Sequence, residues 1–399
     1  MDFKLTPEQE ALKKEFEEFF KEEMKKAPPG LEAGLEGMVS NDKGWAFHVE
    51  MARKLAQKGW LVRPWPIEYG GNDAPIIEQV IFSEVMGYYR SPGIDIWGIG
   101  MLGPTLLAVG NEEQKKEHLP PMARAERFWC QAWSEPNSGS DLASLTTRAV
   151  RDGDEYVING QKTWVTGAHR AGWTFTLART NPEEKRSRGI SYFMVDMSSP
   201  GVTVRPLYSM EGSYAFNEVF FDDVRVPARN MVGAENEGWA ITRATMNFER
   251  SNVGMMSGLK RDLEDLVNFC RETKWNGQTL AQNPFVRHKL AQLAIEIEAG
   301  RAMSYRIAWM QEKSGLLMTA HSASAAKVYG SELAQRFAYT GYDIMGLHGQ
   351  VKKGSKWSPL RGRFESSSQL CMGMNIAAGT SEIQRNLIAW VGLGLPRTI

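Results

Sequence analysis

The stretch NIAAGTSEIQ, residues 375–384, puts Gly379, Thr380 and Ser381 just ahead of an apolar, helix-like run. Backbone N–H groups and hydroxyls gathered there suit a ligand oxygen or an anion, because the first turn of a helix leaves its N–H groups unpaired. The same residues also serve as an ordinary N-cap, and the two roles are compatible. A second chemical candidate is Asp95, an acid within the otherwise apolar SPGIDIWGIGMLGP. Desolvation there raises a carboxyl pKa and makes a base, while capping a helix or meeting a polar substrate tail are alternative roles for the same group.

The chain around these residues has 399 positions, enough for two or three domains with filled cores. Its 47 basic and 47 acidic residues cancel, which speaks against nucleic acid or an anionic membrane surface as a partner. Cys130, Cys270 and Cys371 are far apart and form no metal-ligand spacing or disulfide framework, so no metal is expected and a reducing cytoplasm fits. MDFKLTPEQEALKK has no apolar signal core, and no window approaches roughly 18 apolar residues. The expectation is a soluble cytoplasmic protein without a membrane span.

Thr6-Pro7-Glu8-Gln9 reads as an N-cap, a proline in the first turn and a capping-box glutamine, followed by Leu12, Phe16, Phe19, Phe20 and Met24 at helical spacing. Helical periodicity returns through residue 125, with GMLGPTLLAVGNEEQKKEHLPPM read as two shorter helices split near Gly110. From Phe128 the pattern alternates. DGDEYVINGQKTWVTGA reads as a hairpin turning at Asn159-Gly160, and ISYFMVDM, GVTVRPL and NEVFFDDVRVP continue as strands. After Gly238 four long helical runs follow: 240–273, 283–313, 319–346 and 381–392. The predicted class is α+β and multidomain: a helical domain over 1–125, a mainly antiparallel β domain over 126–235 and a C-terminal four-helix bundle over 236–399.

This order, together with WCQAWSEPNSGSDLASLTTRA, VINGQKTWVTGAHRA, FNEVFFDDVRVP and AAGTSEIQRNLIA, resembles the acyl-CoA dehydrogenases over essentially the whole chain. The resemblance implies an FAD cofactor, an acyl-CoA thioester substrate and electron-transfer flavoprotein as acceptor. It implies that Gln131, Trp133 and Ser134 border the flavin, with Ser134 at the polar edge of the ring, and that Gly139 and Ser140 lie by the pyrophosphate or the CoA arm, where Ser140 also meets substrate. Trp164 and Thr166 would cover the ring near N5, although Trp164 also suits plain strand packing. Thr380 and Glu382 would contact the adenosine half. Gly346 and Gly349 of GLHG would reach the flavin of a neighbouring subunit, or simply end a helix, so a homodimer or homotetramer is implied. The family often has an arginine just before an Asn-Gly pair such as Asn276-Gly277, where Lys274 and Trp275 stand here.

Many family members carry the catalytic glutamate immediately before the Gly-Thr pair, but Ala378 stands there and moves no proton. A smaller set carries it before an arginine on the helix opening the C-terminal bundle, which makes Glu249 of NFERSNVG the first candidate, with Arg250, Ala378 and Gly379 beside the substrate. A solvated ion pair is the other role open to Glu249. Asp95 is the rival base; it would imply remote dehydrogenation of a cyclic acyl-CoA. Two further readings stay open: a non-oxidative elimination on the same fold and an inactive subunit that pairs with an active one.

Overall fold

The computed structural model describes residues 4–29, 31, 34–184, 186–248, 252–314 and 320–397. Helices α1 (Pro7–Glu23), α2 (Gly34–Val39), α3 (Asp42–Gln57), α4 (Ile76–Tyr88), α5 (Gly103–Val109) and α6 (Glu112–Ala123) precede a sheet. Its strands are β1 (Trp129–Ala132), β2 (Arg148–Asp152), β3 (Glu155–Lys162), β4 (Trp173–Arg179), β5 (Ile190–Asp196), β6 (Val202–Leu207), β7 (Phe216–Pro227) and β8 (Met231–Val232). Helices α7 (Gly238–Phe248), α8 (Val253–Glu272), α9 (Pro284–Ser314), α10 (Ala320–Met345), α11 (Arg363–Met374) and α12 (Ser381–Leu387) come next, with a small hairpin of β9 (Lys274–Trp275) and β10 (Gln278–Thr279) after α8. The expected order of helices, sheet and helices is the order observed.

Two compact units divide these elements, one from 1–33, 76–91 and 250–399 and the other from 34–75 and 92–249. In the first, α8, α9, α10 and α11 bury Met256, Leu266, Leu293, Ile297, Phe337 and Phe364 in one core. The α4 helix packs on α8 where Gly87 faces Gly254, and a Cβ on Gly87 would overlap the Gly254 carbonyl. Glu84, buried on α4, takes Arg301, Lys13 and the Tyr305 hydroxyl as partners, and Arg90 and Arg363 share Asp262 and Asp265. The Thr6 capping box is formed as expected, with Thr6 Oγ1 accepting from the Gln9 N–H and the Gln9 side chain accepting from the Thr6 N–H.

The second unit is built on the sheet, in the order β6-β7-β3-β2-β4-β5-β8, with β1 parallel to β4. Alternation sends Tyr156, Ile158, Phe193, Val195, Val219 and Val224 into its core. The hairpin is not where the Asn-Gly pair suggested. The chain turns at Gly153-Asp154 between β2 and β3, while Asn159 and Gly160 lie inside β3, at a bulge where the register against β7 shifts. Gly160 has φ +155° and stands so close to Thr147 that a Cβ would overlap its side chain, so the glycine serves a close approach rather than a turn.

Two other expectations change. The run 240–273 is two helices, α7 in the sheet unit and α8 in the bundle unit; α7 is tied to α5 by a buried Thr105–Thr245 hydroxyl bond of 2.9 Å. The fourth bundle helix is α11, which the periodicity reading missed; the run 381–392 gives only α12 and one wider turn. The split near Gly110 is observed, with Asn111 capping α6. Because the α4–α8 crossing leaves no room for a side chain, Gly87→Ala should lower the free energy of unfolding by about 2–4 kcal/mol, read as a drop in urea midpoint at unchanged slope.

Candidate active site

In the sheet unit, β1 runs out at Ala132 and hands the chain to Trp133, Ser134 and Glu135. Glu135 and Ser138 then exchange backbone bonds of 2.9 and 3.0 Å, closing a turn that presents Gly139 and Ser140. Gly139 faces open space where a Cβ would stand, and Ser140 is exposed. The turn is fixed from beneath. Glu135 is buried and accepts from the Thr146 N–H (2.7 Å), the Thr146 hydroxyl (2.8 Å), the Thr147 N–H (2.9 Å) and the fully buried Lys162 ammonium (2.8 Å). Lys162 also donates to the Trp133 carbonyl at 3.1 Å. Burial alone would raise the Glu135 carboxyl, but the Lys162 charge and these donors outweigh it and hold the pKa down at about 2. Burial pulls Lys162 down to about 8 against the opposing pull of Glu135, so the pair is ionised at neutral pH.

Lys162 is followed directly by TWVT. The N–H groups of Thr163, Val165 and Gly167 donate to the carbonyls of Ser134 (2.9 Å), Asn217 (2.9 Å) and Ala215 (2.8 Å). The intervening N–H groups of Trp164 and Thr166 have no chain acceptor among the described residues. Trp164 sits at φ +59° with 64% of its surface exposed, edge-on to Phe216, so it is not strand core. The buried Trp133 indole N–H likewise lacks a partner among the described residues. An exposed flat ring beside spare backbone donors fits the flavin that the sequence implies. Gln131, Trp133, Ser134, Gly139, Ser140, Trp164 and Thr166 all belong to this unit.

Asp95 belongs to it as well, buried at 8% exposure. Its Oδ1 accepts from the Trp97 and Gly98 N–H groups (3.1 and 3.0 Å) and its Oδ2 from the Trp129 N–H (2.9 Å). Burial pushes the carboxyl up to about 7, against the pull of these three bonds. Both oxygens are thus engaged in fastening the Asp95–Leu102 turn to β1. The adjoining cavity, lined by Trp45, Trp97, Phe128 and Trp129, holds about 30 Å³, room for a water molecule and not for an acyl ring.

In the bundle unit the 375–384 segment forms a tight turn. Ala378 and Gly379 adopt consecutive left-handed conformations, φ +54° and +85°, and Thr380 caps α12 through a 3.2 Å bond from the Ile383 N–H. Gln384, almost fully buried, donates to the Ala378 carbonyl at 2.9 Å, and Asn375 reaches Gln335 at 2.7 Å. The N–H groups of Ala378 and Gly379 meet no chain acceptor among the described residues. Thr380 and Glu382 stand at this turn, and Gly346 and Gly349 in the short turn after α10, where Gly349 abuts the Tyr342 carbonyl. Glu249 and Arg250 lie outside the described residues. Sequence reading passed over Glu135, Lys162, Thr146 and Gln384; a lysine at an inward position of a core strand was the available signal.

Among the described residues no cluster of His, Cys, Asp and Glu suits a metal, and no helix is long and apolar enough to cross a membrane. Three family models match: acyl-CoA dehydrogenase N-terminal domain over 6–126, middle domain over 130–224 and C-terminal domain over 236–393. Acyl-CoA dehydrogenase FadE26 of Mycobacterium tuberculosis is 33% identical over 404 aligned positions, covering 100% of this chain and 99% of the relative. Among solved structures, a Tcur3481-Tcur3483 steroid ACAD is 31% identical with a TM-score of 0.88 and covers 100% of both chains. The ChsE4-ChsE5 complex from Mycobacterium tuberculosis is 32% identical with a TM-score of 0.86, again covering 100% of both.

The Glu135 environment has a consequence for pH. Its folded pKa of about 2 lies below the ordinary 4.5, so the folded state binds fewer protons between those values. The stabilisation is therefore complete above about pH 4.5 and is lost as pH falls toward 2, by roughly 3 kcal/mol. Urea unfolding of the apoprotein at about pH 5 and about pH 3 should show about 2 kcal/mol of this loss in the wild type and lack this contribution in a Glu135→Gln/Lys162→Met double variant.

Proposed function

The chain belongs to the acyl-CoA dehydrogenase family of FAD-dependent oxidoreductases, and from that premise we propose that it desaturates the acyl group of a bulky, ring-bearing CoA thioester at its α,β bond. The single observation that carries the α,β assignment is the turn at Ala378 and Gly379, whose two backbone N–H groups meet no chain acceptor among the described residues where the family's thioester carbonyl is expected. When bound, FAD supplies the acceptor for the β-hydride. The Ala378 N–H donates to the thioester carbonyl and stabilises the charge that develops there as the α-proton leaves. Glu249 takes that proton, an assignment resting on the NFERSNVG motif, since Ala378 has no acid to offer. Arg250, which follows Glu249 in the sequence, and Gly379 are read as substrate contacts. Asp95 acts as a clamp between its turn and β1; with both oxygens engaged it is poorly placed to shuttle a proton.

Trp164 and Thr166 cover one side of the flavin, Gln131, Trp133 and Ser134 border it, and Gly139 and Ser140 leave its phosphates or the CoA arm room to approach. Thr380 and Glu382 meet the adenosine half. The bulky substrate class is supported by the steroid ACAD among the similar structures and by the small residue at position 378. A second subunit completes the assembly through Gly346 and Gly349. The ChsE4-ChsE5 pair supports a related partner chain as well as a second copy in that place. Electrons leave to an electron-transfer flavoprotein. Functional divisions near residues 125 and 235 are part of this reading, supported by the three matched ranges.

Anaerobic titration of the purified, FAD-loaded protein with linear, branched and polycyclic acyl-CoAs, followed by flavin absorbance, tests this reading. Bleaching is expected with the polycyclic thioesters. Glu249→Gln should slow it by about 10²–10⁴-fold, while Asp95→Asn should keep bleaching but lose about 1–3 kcal/mol of unfolding free energy, because its amide N–H₂ meets a backbone donor. Bleaching lost in Asp95→Asn and retained in Glu249→Gln would reverse the two assignments.

A further inference from the structure

The buried Glu135–Lys162 pair is placed between the two segments read as bordering the flavin, almost wholly shielded from solvent. Lys162 is 0% exposed and Glu135 6%. A pair so deep is a weak source of stability, since removing two charges from water offsets most of their attraction, and apolar residues of similar volume often serve as well. Its contacts suggest a different use. Lys162 Nζ donates to Glu135 Oε1 at 2.8 Å and to the Trp133 carbonyl at 3.1 Å. That carbonyl shares its peptide group with the Ser134 N–H. In a trans peptide the C=O and N–H point to opposite sides, so fixing the carbonyl on Lys162 turns the Ser134 N–H away from it. The Ser134 N–H has no chain acceptor among the described residues, and the Trp133 indole N–H beside it is buried without a partner among them.

We infer that Glu135 and Lys162 are positioning residues that orient and polarise the Trp133–Ser134 peptide, so that its N–H favours the reduced over the oxidised flavin. A hydrogen bond to an ionised donor is stronger than a neutral one, and bonds in series strengthen one another, by roughly 10–30% per bond in condensed-phase work. Glu135 keeps Lys162 in place and is itself fixed by Thr146 and Thr147. Hydride arrival leaves an isoalloxazine ring with more negative charge than it had, so a strengthened donor at its polar edge holds the reduced ring more tightly. This inference rests on the proposed flavin site and assigns to two further residues a control of reduction potential.

The test uses FAD-loaded wild type and the Glu135→Gln/Lys162→Met double variant, which removes both charges and leaves no buried ion unpaired. Two-electron reduction potentials are measured by dye equilibration, FAD affinity by fluorescence and apoprotein stability by melting. The double variant is expected to bind FAD but to lose at least tenfold in its preference for the reduced form, which lowers the potential by about 30 mV for a two-electron couple. An unchanged potential in an FAD-loaded double variant overturns this inference alone. A wild type that takes up no FAD overturns it together with the flavin reading.

A second readout needs no variant. Carbonyl-labelled tryptophan with ¹⁵N-serine leaves two linked pairs, Trp133–Ser134 and Trp357–Ser358. The Ser134 amide proton should move downfield when the bound flavin is reduced while the Ser358 amide stays. A Ser134 amide indifferent to reduction means the pair does no more than hold the loop.

Discussion

The loops that follow β1 and β3 in the sheet unit depend on one buried ion pair. Glu135 and Lys162 come from segments separated by a hairpin, and their bond brings the end of β1 against the end of β3. The site uses the residues immediately C-terminal to each partner: Ser138 to Ser140 after Glu135, and Thr163 to Thr166 after Lys162. The Thr163 N–H to Ser134 carbonyl bond closes the same seam on its backbone side. Because every oxygen of Glu135 is satisfied by a donor, the charges tolerate burial, and the surrounding loops inherit a single geometry. Trp164 can then hold a left-handed backbone and an exposed ring, a combination a loose loop would relax.

A second constraint, independent of the first, shapes the bundle unit's turn. Two successive left-handed residues, one of them alanine, are costly unless their surroundings hold them. The Gln384 side chain does this from α12 by binding the Ala378 carbonyl, while Thr380 caps the helix that carries it. The result is a turn with no acid at position 378 and with the Ala378 and Gly379 N–H groups free of chain acceptors among the described residues. On the proposed reading, a base supplied from elsewhere in the sequence would leave these backbone donors available to a carbonyl.

Much of this was legible in the sequence because it is encoded locally. The Thr6 capping box, the break at Gly110 and the strand runs after Phe128 are readable from neighbouring residues, and they stand where periodicity placed them. The errors have a common cause in tertiary contact. Asn159-Gly160 has the composition of a turn, but Thr147 across the strand pair makes Gly160 a bulge. Residues 240–273 have helical periodicity throughout, but their helical run breaks between α7 and α8, which join different units. Asp95 was readable both as a base and as a cap, and its bonds to the Trp97 and Gly98 N–H groups are local, but its bond from the Trp129 N–H, 34 residues away, is not encoded by its neighbours. Lys162 offered the signal of an inward lysine on a core strand, but its partner, 27 residues away, could not be read from its neighbours.

Centrally, the two segments proposed to face the flavin form one preorganised piece before any ligand binds. Native-state amide hydrogen exchange on the apoprotein addresses this directly, because residues within one cooperative unit open with a common free energy. The Thr146, Thr147 and Thr163 amides, two bound to Glu135 and one to the Ser134 carbonyl, are then expected to share one high opening free energy. A Thr163 amide that opens several kcal/mol more easily than Thr146 and Thr147 would show the segments to be separate, and FAD rather than the ion pair would be what joins them.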